Sequence, residues 1–290
     1  VRKLSWVGWA ALGGAVLFAV TAIVFVLVRP SIGSAHHQPQ LPQLTLAAHS
    51  DGLSDAESGY RFVPISIPTE RGDAIKVEFR IIGPNGRPVT EFIPNQTKAM
   101  HFFMVRDDMH IYQHVHPELT GDVWHTTLKV PDGGAYRMFT EFIPLDTQDA
   151  THPVVLGVSF TIPGETSLVP VGQPQADSRT ADGYTVARSE GAVEPKPRET
   201  VQLRFQIRDP QGRPVKGLDP HLGAYGHMTG FHTTMLSATH MHPQEAVGTP
   251  IINGELTFRA IFGERGEYRL FLEFNAGGKI QTASFTVYVN

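Results

Sequence analysis

The sequence predicts an all-β protein: two tandem antiparallel β-sandwiches behind one N-terminal transmembrane helix. Three observations predict it. The first is a duplication. His101 to Pro117 returns as His227 to Pro243, with His101 on His227, His114 on His240 and His116 on His242. Upstream, Pro84, Gly86, Arg87, Pro88 and Val89 repeat at the same spacing as Pro210, Gly212, Arg213, Pro214 and Val215. Downstream, Gly134-Ala-Tyr-Arg-Met-Phe-Thr-Glu-Phe142 is echoed by Gly266-Glu-Tyr-Arg-Leu-Phe-Leu-Glu-Phe274. A duplication on this scale means two copies of one structural unit. The second observation is the period of the apolar residues, which is two rather than 3.6 outside the N-terminus. The third is the stretch Leu4 to Val28, which carries no charge.

In chain order, residues 1–30 form the anchor. At ~1.5 Å per residue, a helix over Leu4 to Val28 crosses ~30 Å of hydrocarbon. Trp6 and Trp9 fall at the headgroup level, and Arg2-Lys3 keep the N-terminus cytoplasmic while the remainder is exported. The span is longer than the ~7–15-residue apolar region of a cleaved signal peptide. Residues 31–58 are rich in Ser, Gln, Pro, His and Asp without periodicity, and read as a linker. His36-His37 within it reads as polar filler.

Residues 59–164 form the first repeat. Its strands are expected at Tyr60–Val63, Ile75–Ile82, Met100–Val105, Ile111–Val115, Val123–Val130, Tyr136–Phe142 and Val154–Ile162, divided by Pro-Asn-Gly, Arg-Asp-Asp and Pro-Asp-Gly-Gly turns. About seven short strands in about 105 residues is the pattern of a sandwich. Residues 165–181 are a second linker, and residues 182–290 form the second repeat.

The chain has 24 Lys and Arg against 28 Asp and Glu and no basic stripe, so no nucleic acid is expected as partner. It has no cysteine, which excludes disulfides, thiolate zinc sites and a blue-copper centre. Among 14 histidines, six form three matched pairs with one member in each copy. On a strand, residues i and i+2 share a face, so His114 and His116 point together, as do His240 and His242. A hairpin turning at Asp107 to His110 sets His101 opposite His116 and Phe103 opposite His114; the same register sets His227 beside His242. Each copy thus gathers three imidazoles. With Met104, Met228 or Met241 near, the ligand set suits copper in either oxidation state, or zinc. The candidate metal ligands are therefore His101, His114, His116, His227, His240 and His242. A His-x-His-Pro at a strand end also serves as a purely structural hydrogen-bonding motif. His110, His125, His152, His221 and His232 lack counterparts and read as surface or loop residues. No nucleophile elbow, phosphate loop or His-Glu-x-x-His is present, and Asp107-Asp108 reads as a solvated turn, so no enzyme is expected.

Gly-Arg-Pro-Val, Gln113-His-Val-His-Pro-Glu-Leu119, Gly-x-Tyr-Arg-x-Phe, Leu222-Gly-Ala-Tyr-Gly-His-Met228 and His240-Met-His-Pro243 resemble the exported cupredoxin-like domains of bacterial proteins associated with heavy-metal handling. The resemblance covers residues 60–290. It implies a cupredoxin- or Ig-like sandwich and copper binding through the six histidines, without the cysteine that blue-copper electron transfer needs. Two functions follow as expectations. One is a non-enzymatic accessory subunit, held in the inner (cytoplasmic) membrane by residues 4–28 and bracing the periplasmic face of a larger complex, respiratory or photosynthetic. Gly8, Gly13 and Gly14 give its helix the small-residue face suited to packing against other subunits. The other is a periplasmic copper-binding protein.

Overall fold

The computed structural model describes residues 50–147, 150 and 152–290. The expected membrane helix and residues 31–49 of the expected tether lie outside them. The described residues belong to one compact unit, and among them no helix is long and apolar enough to cross a membrane.

The fold is built of antiparallel strands. The first repeat supplies β1 (Ala56–Glu57), β2 (Tyr60–Ser66), β3 (Gly72–Ile82), β4 (Phe92–Ile93), β5 (His101–Arg106), β6 (Tyr112–Val115), β7 (Glu118–Thr120), β8 (Val123–Val130), β9 (Gly134–Pro144) and β10 (Val154–Ile162). The second supplies β11 (Asp177–Arg179), β12 (Thr185–Arg188), β13 (Thr200–Arg208), β14 (Gly226–His232), β15 (Ala238–Met241), β16 (Glu255–Ile261), β17 (Gly266–Ala276) and β18 (Lys279–Val289). Four sheets result, in the orders β1-β2-β3-β8-β7, β10-β9-β5-β6, β11-β12-β13-β16 and β15-β14-β17-β18. In each repeat two sheets enclose one apolar core. Phe62, Val77, Phe79 and Leu128 meet Phe102, Met104, Met138 and Leu156 in the first. Leu203, Phe205 and Phe258 meet Met228, Leu270, Leu272 and Phe285 in the second.

An antiparallel sheet usually buries one face and wets the other. Here β5 is buried at all six positions and β14 at all seven. The cause is period two in the side chains combined with docking of the repeats. Even-numbered Phe102 and Met104 enter their own core. Odd-numbered Phe103 and Val105 leave the opposite face and join Phe139, Phe231 and Phe271 in a third apolar cluster, which draws on both repeats. Tyr112 of β6 stacks on Phe271 of β17 at 4.2 Å between centroids and 7° between planes. Such contacts add to the gain from area burial.

The same alternation corrects one expectation. Met104, Met228 and Met241 are buried in the cores, and each sits an odd number of positions from a histidine that faces the other repeat: three from His101 for Met104, one from His227 for Met228 and one from His240 for Met241. Their thioethers therefore point away from the imidazoles. Residues 50–58, read as the end of the linker, are not free of the fold. Residues from Ser50 on are docked: Arg137 Nη2 donates to the Gly52 carbonyl at 2.6 Å, and the Ala238 amide donates to the Asp51 carbonyl at 2.7 Å. β11 lies within the segment read as a linker, because a three-residue edge strand paired through backbone to β12 shows no alternation to read. Nor is Asp108 a solvated turn carboxylate. It receives Arg106 Nη2 at 2.6 Å and the Val169 amide at 2.9 Å, while Asp132 receives Arg106 Nη1 at 2.6 Å and the Ser167 amide at 3.0 Å. The buried guanidinium thereby pins the connection as it leaves the first repeat.

Phe271→Ala removes the ring that seats Tyr112. Loss of a buried aromatic ring costs about 3–5 kcal/mol, and chemical denaturation should show a loss of that size. A loss under about 1 kcal/mol would mean that the contact between the repeats contributes little.

Candidate metal centre

The hairpin register is the one the spacing predicts. Phe102 pairs with Val115 and Phe103 with His114, which carries His101 to His116 at the end of the ladder. Met228 pairs with Met241 and Thr229 with His240, which carries His227 to His242. The odd positions of β5 and β14, with His114 and His240 beside them, face the seam between the repeats. The two trios therefore share one place. His101 lies 5.4 Å from His114 and 4.9 Å from His116, centroid to centroid. Across the seam it lies 4.8 Å from His240 and 5.9 Å from His227. These separations are no longer than those inside the second trio, where His227 is 6.0 Å from His240 and 5.5 Å from His242.

Four acceptors fix the rings. His101 Nε2 donates to the Asn95 carbonyl at 3.0 Å, and His227 Nε2 donates to the His221 carbonyl at 3.1 Å. A carbonyl oxygen only accepts, so both protons sit on Nε2 and both Nδ1 atoms keep bare lone pairs. His114 Nδ1 donates to Glu273 Oε2 at 2.9 Å, and His240 Nδ1 donates to Glu141 Oε1 at 2.8 Å. In these rings Nε2 is the bare atom. Each carboxylate comes from the opposite repeat.

The bare nitrogens converge. His101 Nδ1 is 3.1 Å from His114 Nε2 and 3.2 Å from His116 Nε2. With the outer protons assigned, no hydrogen lies between His101 Nδ1 and His114 Nε2, and two lone pairs face each other. In the second repeat the corresponding atoms, His227 Nδ1, His240 Nε2 and His242 Nε2, are buried without a hydrogen-bond partner. Unpaired buried polar atoms are costly, and four lone pairs fixed inward, with His116 Nε2 and His242 Nε2 beside them, are the donor set of a cation. One nitrogen from each of His101, His114 and His116 falls within 4.8 Å of the others, and so does one from each of His101, His227 and His240. The residues thus fit a metal held by imidazole. No sulfur is in the set, which favours the borderline ions Cu(II) and Zn(II) over Cu(I).

The carbonyls come from two matching turns of unlike sequence. Asn95 and Lys98 exchange backbone hydrogen bonds at 2.8 and 3.0 Å, as His221 and Ala224 do at 2.8 and 3.1 Å. Both turns run through two consecutive left-handed residues: Gln96 (φ 48°) and Thr97 (φ 66°), then Leu222 (φ 53°) and Gly223 (φ 79°). Gly223 is needed twice over, since a Cβ there would also lie 2.7 Å from Thr97 Cγ2. Four participants went unseen in the sequence, among them Asn95, which like His221 acts through its backbone carbonyl. Glu141 and Glu273 stand at matching places in the repeated Tyr-Arg-x-Phe-x-Glu-Phe, a charge in an otherwise buried strand, and that was the signal available. His221 acts through its backbone carbonyl, which no side-chain pattern reveals.

The halves are not identical. Near His114, the Tyr112 hydroxyl lies 3.0 Å from Thr229 Oγ1 and 3.4 Å from Glu273 Oε2. The equivalents of Tyr112 and Thr229 around His240 are Ala238 and Phe103, and there Asn95 Nδ2 donates to Glu141 at 3.4 Å.

Burial pushes all six imidazoles below their ordinary 6.5, His114 to about 3 and His227 to about 4, with neighbouring imidazoles adding to the effect on His114's trio partner His116 and on His240 and His242. They are neutral at neutral pH, the form that binds metal. Burial raises Glu141, and it raises Glu273 to about 7.

A family model matches the chain twice, over residues 57–159 and 179–290, and is described as a domain of unknown function, DUF8832. The chain belongs to this family. The two matched segments of the DUF8832 chain coincide with the two pairs of sheets. No curated protein matches it. Similar solved structures include FdeC, an Escherichia coli adhesin, at 14% identity and a TM-score of 0.26, covering 81% of this chain and 65% of that one. Invasin, a bacterial integrin-binding protein, is 12% identical with a TM-score of 0.23, over 79% of this chain and 38% of that one. Escherichia coli α2-macroglobulin is 8% identical with a TM-score of 0.28, over 83% of this chain and 15% of that one. This chain spans less than two thirds of each.

The shifted groups make a pH prediction for the metal-free protein. Below about pH 6.5 the unfolded chain takes up protons on six histidines that the folded protein keeps neutral, so acidification destabilises the fold. The raised carboxylates, Glu57, Asp107, Glu141 and Glu273, act oppositely, but they are four against seven lowered imidazoles, His221 included. The melting temperature of metal-free protein should fall between about pH 6.5 and pH 4.5. A midpoint that holds steady or rises there would contradict the burial of neutral rings.

Proposed function

We propose that this DUF8832 protein is an exported, membrane-anchored metal-binding protein that holds copper, with zinc as the alternative ion, at the seam between its repeats. One observation carries the reading: in both repeats a carbonyl and a carboxylate hold the outer nitrogens of two rings, which turns His101 Nδ1, His114 Nε2, His227 Nδ1 and His240 Nε2 inward, with His116 Nε2 and His242 Nε2 completing the trios. His101, His114, His116, His227, His240 and His242 would be the ligands. Asn95, His221, Glu141 and Glu273 would orient them, as outer partners do in metal sites generally. When bound, the metal would neutralise the converging lone pairs and clamp the repeats together. The resemblance to cupredoxin-like domains of heavy-metal-associated proteins supports the same ion. Scaffolding of a membrane complex rests on the anchor sequence alone, and the site chemistry favours metal holding as the primary role.

The full chain, loaded with copper(II) or zinc and desalted, should retain metal on elemental analysis, and His114→Ala with His116→Ala should lose at least half of it. Glu273→Gln or Glu141→Gln should weaken binding about 10–100-fold while preserving the fold. Wild-type protein that retains no copper or zinc would overturn the reading.

A further inference from the structure

We infer that the two trios form a single dinuclear centre, with an ion in each, and not two independent sites or one shared ion. The inference rests on the metal-binding reading above and extends it.

Donor counting comes first. Six imidazole nitrogens face one space: His101 Nδ1, His114 Nε2 and His116 Nε2 from one repeat, His227 Nδ1, His240 Nε2 and His242 Nε2 from the other. A single ion with three or four protein ligands would leave two or three of these lone pairs buried and bare, at a cost for each. Two ions leave none when the first takes His101, His114 and His116 and the second takes His227, His240 and His242, whose rings lie 4.5 to 6.0 Å apart, centroid to centroid.

Charge gives the same count. The centre contains two buried carboxylates, Glu141 and Glu273, one bonded to a ligand of each trio. One divalent ion in either trio would have only one of them hydrogen-bonded to a ligand, Glu273 through His114 or Glu141 through His240. With an ion in each trio, each carboxylate has a cation one imidazole away.

The halves are also built to depend on each other. Glu273 of the second repeat orients His114 of the first, and Glu141 of the first orients His240 of the second. Neither repeat can set its own His-x-His pair alone. His101 belongs to both possible three-ligand sets, since its ring nitrogen lies within 4.8 Å of ligand atoms in each. Sets that interleave so closely suit a two-metal site; where such sites hold their ions ~3.5–4 Å apart, unpaired electrons on the two interact.

The test uses the full chain with His36→Ala and His37→Ala, which removes the histidine pair of the tether. Copper(II) is added stepwise, the desalted protein is analysed for copper, and its electron paramagnetic resonance is recorded at each step. The expected result is two coppers per chain. The spectrum of the second equivalent should show dipolar broadening with a half-field transition, or spin intensity well below two per chain. His240→Ala with His242→Ala should bind one copper with a sharp, fully integrating signal, and circular dichroism checks its fold. The wild-type titration decides the matter without any variant. Two coppers with additive, unbroadened signals would overturn the dinuclear centre and leave two separate sites. One copper per chain would overturn it in favour of the shared set of His101, His227 and His240. Retention of no copper would overturn the metal-binding reading itself.

Discussion

Four hydrogen bonds made by the outer nitrogens of buried imidazoles govern the chemistry of this protein. Two end on backbone carbonyls, at Asn95 and His221, and two on carboxylates, Glu273 and Glu141. A histidine ring carries one proton when neutral, so spending it outward leaves a lone pair inward. Repeated around one space, that choice turns an ordinary polar cluster into a ligand shell. Without the outer acceptors those four rings could turn their protons inward and pair with their neighbours, donor to acceptor, and would need no cation.

The seam owes its shape to duplication. Its contacts are reciprocal: a histidine of the first repeat meets a glutamate of the second, and the equivalent histidine of the second meets the equivalent glutamate of the first. Two-fold symmetric dimers show the same self-complementarity, here contained in one chain. Tyr112 and Thr229 break the symmetry on one side, Phe103 and Ala238 on the other. A single chain can vary its two halves separately, which a homodimer cannot.

Energetically the seam opposes two terms. Phe103, Val105, Phe139, Phe231 and Phe271 supply apolar burial that favours docking. The neighbouring imidazoles and carboxylates give up hydration to be there, a cost that rises when polar atoms stay unpaired. Binding of a cation to the folded form alone would shift this balance toward the docked state by mass action. The aromatic contacts hold the repeats together, and the polar cluster can then remain short of a partner at tolerable cost.

Much of this was legible in the residues. Period-two alternation located the long strands. The offsets between the copies identified two units, and the spacing of His101 from His114 and His116 fixed the hairpin register, because each of these is a local rule of the backbone. The edge strand Asp177–Arg179 and the docked segment after Ser50 were not legible, since backbone pairing to an edge leaves no pattern in side chains. The methionines were assigned to the wrong face by proximity in sequence, although alternation places a residue one or three positions from a facing histidine on the opposite side. Above all, the sequence could name two trios but not their union. Which face of one repeat covers which face of the other depends on complementarity among side chains more than 100 residues apart. Only that docking carries Glu273 to His114 and Glu141 to His240, and makes one centre of two motifs.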